Sequence, residues 1–259
     1  MKLSYHTNPA LALLHAPVGK RQMPIPPEAL VDFLPVQRHI KESLDRYTDL
    51  FRSNVQVITN PFAEAIHLCY DKLQTEEVMC SLENLSGCLI YPGSYSFLYH
   101  LENQQKGVIF FFSCNRLAYY TSYDHGKAVI CDMMHQSPSF KDQSQFQIWD
   151  EVVNFLSTTL AFIKFAEVQT RYLPAGKKVK DISCMYLNET DLKVQLLDCR
   201  WITTLVRTEG FKVRGHFRLQ PKKRNGEWTK ELIKIDEYMK TGYTMKAGKL
   251  RKAKERDIS

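Results

Sequence analysis

The chain has 259 residues, of which 44% are hydrophobic and 24% charged, with a net charge of +7. Those proportions belong to a folded protein with a core of its own and exclude a wholly disordered chain. No run approaches the roughly 20 apolar residues of a membrane span, and the first twenty residues, whose short apolar patch is broken by His15 and Pro17, make a poor signal peptide.

Residues 17–35 hold Pro17, Pro24, Pro26, Pro27 and Pro35. They predict a connector laid over the surface, so that 1–35 forms a Pro-rich N-terminal arm. In VQRHIKESLDRYTDLF, Val36, Ile40, Leu44, Tyr47 and Phe51 recur at helical spacing and predict an amphipathic helix. Asn60-Pro61 supplies a cap and a first-turn proline for a second helix over 61–74. Residues 36–80 thus form a helical segment.

From residue 87 the texture becomes that of strands: GCLIYP, SYSFLYHL, GVIFFFS, RLAYYTSY and KAVICDM. Pro92-Gly93, ENQQKG, Cys114-Asn115 and Asp124-His125-Gly126 separate them, which predicts an antiparallel meander. The run Phe110–Phe112 predicts a strand covered on both faces. Residues 145–172, with Ile148, Val152, Leu156, Leu160 and Ile163, read as one long helix, apolar almost all round and packed across the sheet. Strands return in ISCMYL, LKVQLLDC, WITTLVRT and GFKVRGHFRLQP, and Asn225-Gly226 turns the last of them into TKELIKID. The fold class expected is α+β: mainly antiparallel β-sheet, one long covering helix and a small N-terminal helical part. The main domain spans 81–243, with a basic hairpin at 210–236 and a basic flexible tail at 244–259.

Seven cysteines, an odd number with no CxxC pair, several inside apolar runs, read as reduced thiols in a cytoplasmic protein. The charge is unevenly placed: residues 1–199 carry a net −3 and residues 200–259 a net +10. A basic excess at one end points to a polyanionic partner, nucleic acid before acidic protein or anionic membrane.

Within that end, Lys212, Arg214, His216 and Arg218 alternate with Phe211, Val213, Phe217 and Leu219. On a strand this puts cations about 7 Å apart on one face. Lys230 and Lys234 of the return strand are expected on the same face, and Lys222, Lys223 and Arg224 in the loop. With Trp228, Tyr238 and Tyr243 close in sequence, the hairpin reads as a groove for phosphates and stacked bases. A second reading makes it a toxin-like ribonuclease with His216 as acid–base between Arg214 and Arg218. A third makes it a protein–protein interaction module. Gly215 marks a close backbone approach. Asp181, Asp191 and Lys193 bear a loose likeness to the carboxylates and lysine of metal-dependent nucleases. The chain carries none of the common catalytic or nucleotide-binding motifs, and no cofactor or metal is expected.

The segment 213–244, VRGHFRLQPKKRNGEWTKELIKIDEYMKTGYT, resembles a family of phage and mobile-element proteins. Their shared ending is R-G-H-aromatic-basic, a polar or Gly turn, a basic–hydrophobic strand and an aromatic or Pro-bearing close. Arg214, Gly215, His216, Phe217 and Arg218 match the first part, Lys230–Asp236 the return strand and Tyr238 the close. The family includes a type V-A anti-CRISPR protein. The resemblance implies an accessory protein of a phage or mobile element in the host bacterial cytoplasm, and the basic hairpin and tail are what lead to the expectation that it binds RNA or an RNA–protein assembly. The resemblance also implies inhibition of a host defence system, through a defence protein or its nascent chain.

Overall fold

The structure, a computed structural model, describes residues 1–67, 82–93, 95–134, 145–165, 168–180, 184–199, 211–213, 215–224 and 226–240. The chain opens with β1 (Lys2–Leu3), α1 (Pro9–His15), α2 (Leu30–Phe33) and α3 (Gln37–Ser53). Then come β2 (Val55–Ile58), α4 (Asn60–His67), β3 (Leu85–Ile90), β4 (Ser96–Asn103), β5 (Lys106–Ser113), β6 (Arg116–Asp124) and β7 (Lys127–Asp132). After α5 (Gln145–Phe165) follow β8 (Val168–Leu173), β9 (Lys178–Lys180), β10 (Met185–Asn188) and β11 (Val194–Cys199). The C-terminal part holds β12 (Phe211–Val213), β13 (His216–Arg224), β14 (Glu227–Ile235) and β15 (Tyr238–Lys240).

An eight-stranded sheet in the order β7-β6-β5-β4-β3-β2-β11-β8 carries the core on both faces. The expected meander is there, β3 through β7, each strand antiparallel to the next. Its turns use left-handed backbone at Cys114, Asn115, His125 and Gly126, where Asn and Gly carry the least steric cost. Alternation along β5 sends Phe110 and Phe112 into one apolar layer and Phe111 into the other. The first layer is covered by α1 and α3, through Leu11, Leu14, Ile40, Leu44 and Phe51. The second is covered by α4 and α5, through Phe62, Ile66, Ile148, Val152, Leu156 and Phe162. A buried hydroxyl pair pins each layer: Ser43 Oγ to Tyr120 Oη at 2.9 Å, and the Tyr91 hydroxyl donating to Thr159 Oγ1 at 2.6 Å. Burial pushes the Tyr120 phenol up to about 12 and the Tyr91 phenol higher still, so both stay neutral.

Several expectations need correction. The anticipated arm is part of the core: Leu3, Ala10, Leu11, Leu13 and Leu14 are buried. The carbonyls that end α1, on Leu13 and Leu14, accept from Arg21 Nε at 2.9 Å and Arg52 Nη1 at 2.8 Å, which supplies partners the helix itself lacks. The proline-rich connector contains α2 and two single turns of 3-10 helix, Pro27–Ala29 and Leu34–Val36. The helix placed at 145–172 ends at Phe165, and VQTRYL forms β8 instead, antiparallel to β11. Its strand-forming residue types and pairing with β11 outweigh the apolar run that suggested helix. The helix at Asn60 begins one residue early, with the Thr59 carbonyl accepting from the Ala63 N–H, and residues 68–74 lie outside the described residues. So do WITTLVRT and the tail at 244–259. Among the described residues, no helix is long and apolar enough to cross a membrane.

A small sheet, β1-β10-β9, packs beside the first layer. It hangs on Asn188, whose side chain is fully buried. Asn188 Nδ2 donates to the carbonyls of Leu173 at 3.0 Å and Leu192 at 2.9 Å, and its Oδ1 accepts from the Thr190 N–H and hydroxyl at 3.0 and 2.6 Å. Truncation strands several buried polar groups at once. Asn188→Ala is therefore expected to cost about 2–4 kcal/mol of unfolding free energy, read from urea denaturation.

Candidate nucleic-acid interface

The hairpin forms as the turn signal predicts. β13 and β14 pair from His216 opposite Ile235 to Arg224 opposite Glu227, closed by the two residues 225–226, with Gly226 at φ 90°. That register has a geometric consequence. An even-numbered residue of one strand always faces an odd-numbered residue of the other. Side chains directly opposite share a face, so the even-numbered cations of the two strands stand on opposite faces. Lys230 lies opposite Pro221 and Lys234 opposite Phe217, away from the parity of Arg218 and Lys222. The single basic face expected from sequence is thus split in two.

Nor is the basic run continuous. The alternation from Lys212 to Arg218 does not run along one strand: β12 pairs with β15, Lys212 facing Met239, and the ladder breaks before β13. Gly215 sits at the break, where a Cβ would lie 3.3 Å from the Ile235 carbonyl oxygen, the close approach its position suggested. Arg214 and Tyr243 lie outside the described residues, and the backbone alone is described at Lys212, His216 and Arg224.

The face carrying Lys223, Trp228, Lys230 and Lys234 changes character along its length. At its inner end Leu232 is buried in the second core layer and the Lys234 ammonium stands 5.6 Å from the centre of the Phe165 ring, at the end of α5. This end anchors the hairpin to the body. Toward the turn the same face leaves the body. Lys223 and Lys230 are exposed there, and Trp228, directly opposite Lys223, is 71% exposed. On the other face Lys222 Nζ is 2.8 Å from Glu231 Oε2. Lys234 Nζ is 3.7 Å from Asp236 Oδ1. Arg218, Lys223 and Lys230 have no acidic partner among the described residues. The free cations at the turn therefore flank an exposed indole, on a platform of antiparallel backbone.

Asp191, considered as a metal ligand, is engaged otherwise. It accepts from the Tyr5 hydroxyl, its backbone N–H donates to the same oxygen at 3.1 Å, and Arg52 Nη2 is 3.8 Å away. Lys193 is exposed and Asp181 lies outside the described residues. Among the described residues no group of three or more His, Cys, Asp or Glu side chains is placed to hold a metal ion. Compared with protein-family models, with curated proteins and with solved structures, the chain matches none.

Two measurements follow from this geometry. Leu232→Ala removes the inner anchor and is expected to cost about 2–3 kcal/mol, whereas Trp228→Ala is expected to leave stability within about 0.5 kcal/mol, both by denaturant titration. The Tyr5 hydroxyl holds the Asp191 carboxyl below its ordinary value of 3.8. A depressed carboxyl contributes stability that is present above the ordinary value and lost as pH falls through the depressed one. Asp191→Asn is therefore expected to be less stable than wild type at neutral pH, by under about 1 kcal/mol because the group is exposed. Melting curves in acid should show the gap closing as pH falls below 3.8.

Proposed function

We propose that the protein binds RNA, alone or within a ribonucleoprotein, through the outer part of the β13–β14 hairpin. The observation that carries this reading is Trp228, an exposed indole with Lys223 opposite it and Lys230 two residues along, neither lysine neutralised by a described acidic residue. An aromatic side chain offers a stacking surface that any base fits, and flanking ammonium groups meet the phosphates on either side of that base. Arg218 on the reverse face adds a cation for a strand that wraps the hairpin. The net charge of +10 over residues 200–259 supplies the wider field that draws a polyanion to this end.

The resemblance of 213–244 to phage and mobile-element proteins supports the biological half of the proposal. The protein acts in the host bacterial cytoplasm as an accessory that blunts a defence system, its RNA partner belonging to the machinery that makes or carries a defence protein. The ribonuclease alternative needs Arg214 and the His216 side chain, and no described geometry favours it.

Fluorescence anisotropy with a labelled single-stranded RNA over a salt series tests the binding. The expected result is a log-linear loss of affinity with salt, with the RNA intact on a gel. Lys223→Gln/Lys230→Gln should lower the slope by about 1.4, at about 0.7 for each single-strand phosphate that a lysine neutralises. Trp228→Ala should weaken binding about tenfold at unchanged slope, the size of one base–indole stack. Wild-type affinity in all these variants would overturn the reading, and cleaved RNA would replace it with a nuclease.

A further inference from the structure

A second run of exposed cations lies where the charge balance along the chain conceals it. Residues 168–180, VQTRYLPAGKKVK, contain Arg171, Lys177, Lys178 and Lys180 and no acidic residue, inside the part of the chain whose net charge is −3. All four are exposed, and none has a carboxylate partner among the described residues. Arg171 Nη1 donates to the Lys180 carbonyl at 3.3 Å. That bond ties β8, an edge of the large sheet, to β9, an edge of the small one. Val179 turns inward against the first core layer, so Lys178 and Lys180 share the outer face of β9, about 7 Å apart.

Next to Arg171, on the other face of β8, Tyr172 is 65% exposed. Gln195 of β11 stands directly opposite it. The Gln195 side-chain oxygen accepts from Nε2 of the buried Gln56 at 3.5 Å, which leaves its amide N–H groups available beside the ring. A ring and a held amide on one face of an edge strand, and cations on the other, suit a flexible polyanion that bends round that edge. A bilayer surface is too flat to meet both.

We propose that the β8–β9 strip is a second binding surface for single-stranded RNA, with Arg171, Lys177, Lys178 and Lys180 on its phosphates and Tyr172 against a base. The ligand class rests on the reading of the hairpin as an RNA-binding element. The two surfaces share a joint. α5 ends at Phe165, over which Lys234 of the hairpin stands. Arg171 is six residues further along the chain, at most about 22 Å away, and Trp228 stands six strand residues, about 20 Å, beyond Lys234 toward the turn. One RNA strand of about a dozen nucleotides spans both.

The test compares RNA probes of about 6 and about 18 nucleotides, lengths that fill one surface or both. They are titrated over a salt series against the full chain and two variants. Lys177→Gln/Lys178→Gln/Lys180→Gln removes the strip and Lys223→Gln/Lys230→Gln removes the hairpin. Circular dichroism melts matched to wild type confirm folding, and Tyr172→Ala, with its charge intact, is an independent second probe. The strip variant should bind the short probe as wild type does and lose about 2 from the salt slope of the long one. Tyr172→Ala should weaken the long probe about tenfold at unchanged slope. Wild-type slopes in the strip variant, with binding abolished in the hairpin variant, would overturn the strip and leave the hairpin standing. Binding abolished in the strip variant and kept in the hairpin variant would do the reverse. Strip-dependent binding to phosphatidylserine vesicles, with no RNA binding by any form, would overturn both and make the strip a membrane surface.

Discussion

Four residues hold the two halves of the molecule together. β2, Val55–Ile58, is buried throughout and runs parallel to β3 on one side and to β11 on the other. Without it the antiparallel meander and the β8–β11 pair would be separate ribbons, each with an apolar edge open to water. Its ends are fixed by side chains and carbonyls rather than by length. The Asn54 carbonyl accepts from the Cys88 N–H at 2.9 Å, and the Asn54 amide donates to the Ser86 carbonyl at 3.1 Å. The gap this needs is kept open by Gly87, where a Cβ would lie 2.6 Å from the Asn54 oxygen. At the far end, the Thr59 hydroxyl donates to Asp198 Oδ1 at 3.1 Å while the Thr59 carbonyl starts α4.

Much of this was legible in the sequence. The meander and its turns, the covering helix, the amphipathic α3 and the hairpin all follow from local periodicity and turn chemistry. β2 does not, because four apolar-rich residues between two helices carry no period of their own. The core role of α1 was hidden for a related reason. Proline spacing suggests a surface strap, but its last carbonyls are satisfied by Arg21 and Arg52, and only the fold brings Arg52 there. The end of α5 and the start of β8 read as one helix in sequence because no proline or glycine stands between Phe165 and Pro174.

At the candidate site the residue types were legible, and so in part was their arrangement. Alternation along β13 shows which of its side chains go together. The partner strand follows from the length of the turn, and Asn225-Gly226 is the signal of a two-residue turn; the expectation of a single basic face took equal parity on the two strands for a shared face. A two-residue turn places the even-numbered lysines of β14 against the odd-numbered positions of β13. Lys223 and Lys230 therefore flank Trp228 near the turn, a residue whose exposure no sequence pattern announces, while Arg218 stands on the reverse face. The strip on β8–β9 does not show in the net charge because the acidic residues of the first 199 positions average it away, although none of them stands among residues 168–180.

The parallel pairing of β2 also bears on how the chain reaches its folded state. Gln56 meets Gln195 across a sequence separation of 139 residues. Helices and the β3–β7 meander close over short loops and can form early, but the centre of the sheet waits for the distant strand β11. Non-local pairing of this kind slows folding, and a growing chain exposes its unpaired strands until the last one arrives. During synthesis the meander and β2 therefore emerge well before the strand that completes the sheet. While the residues between Asp132, the end of β7, and Val194, the start of β11, are being made, a half-built sheet waits with one edge open, the kind of edge on which another chain can pair.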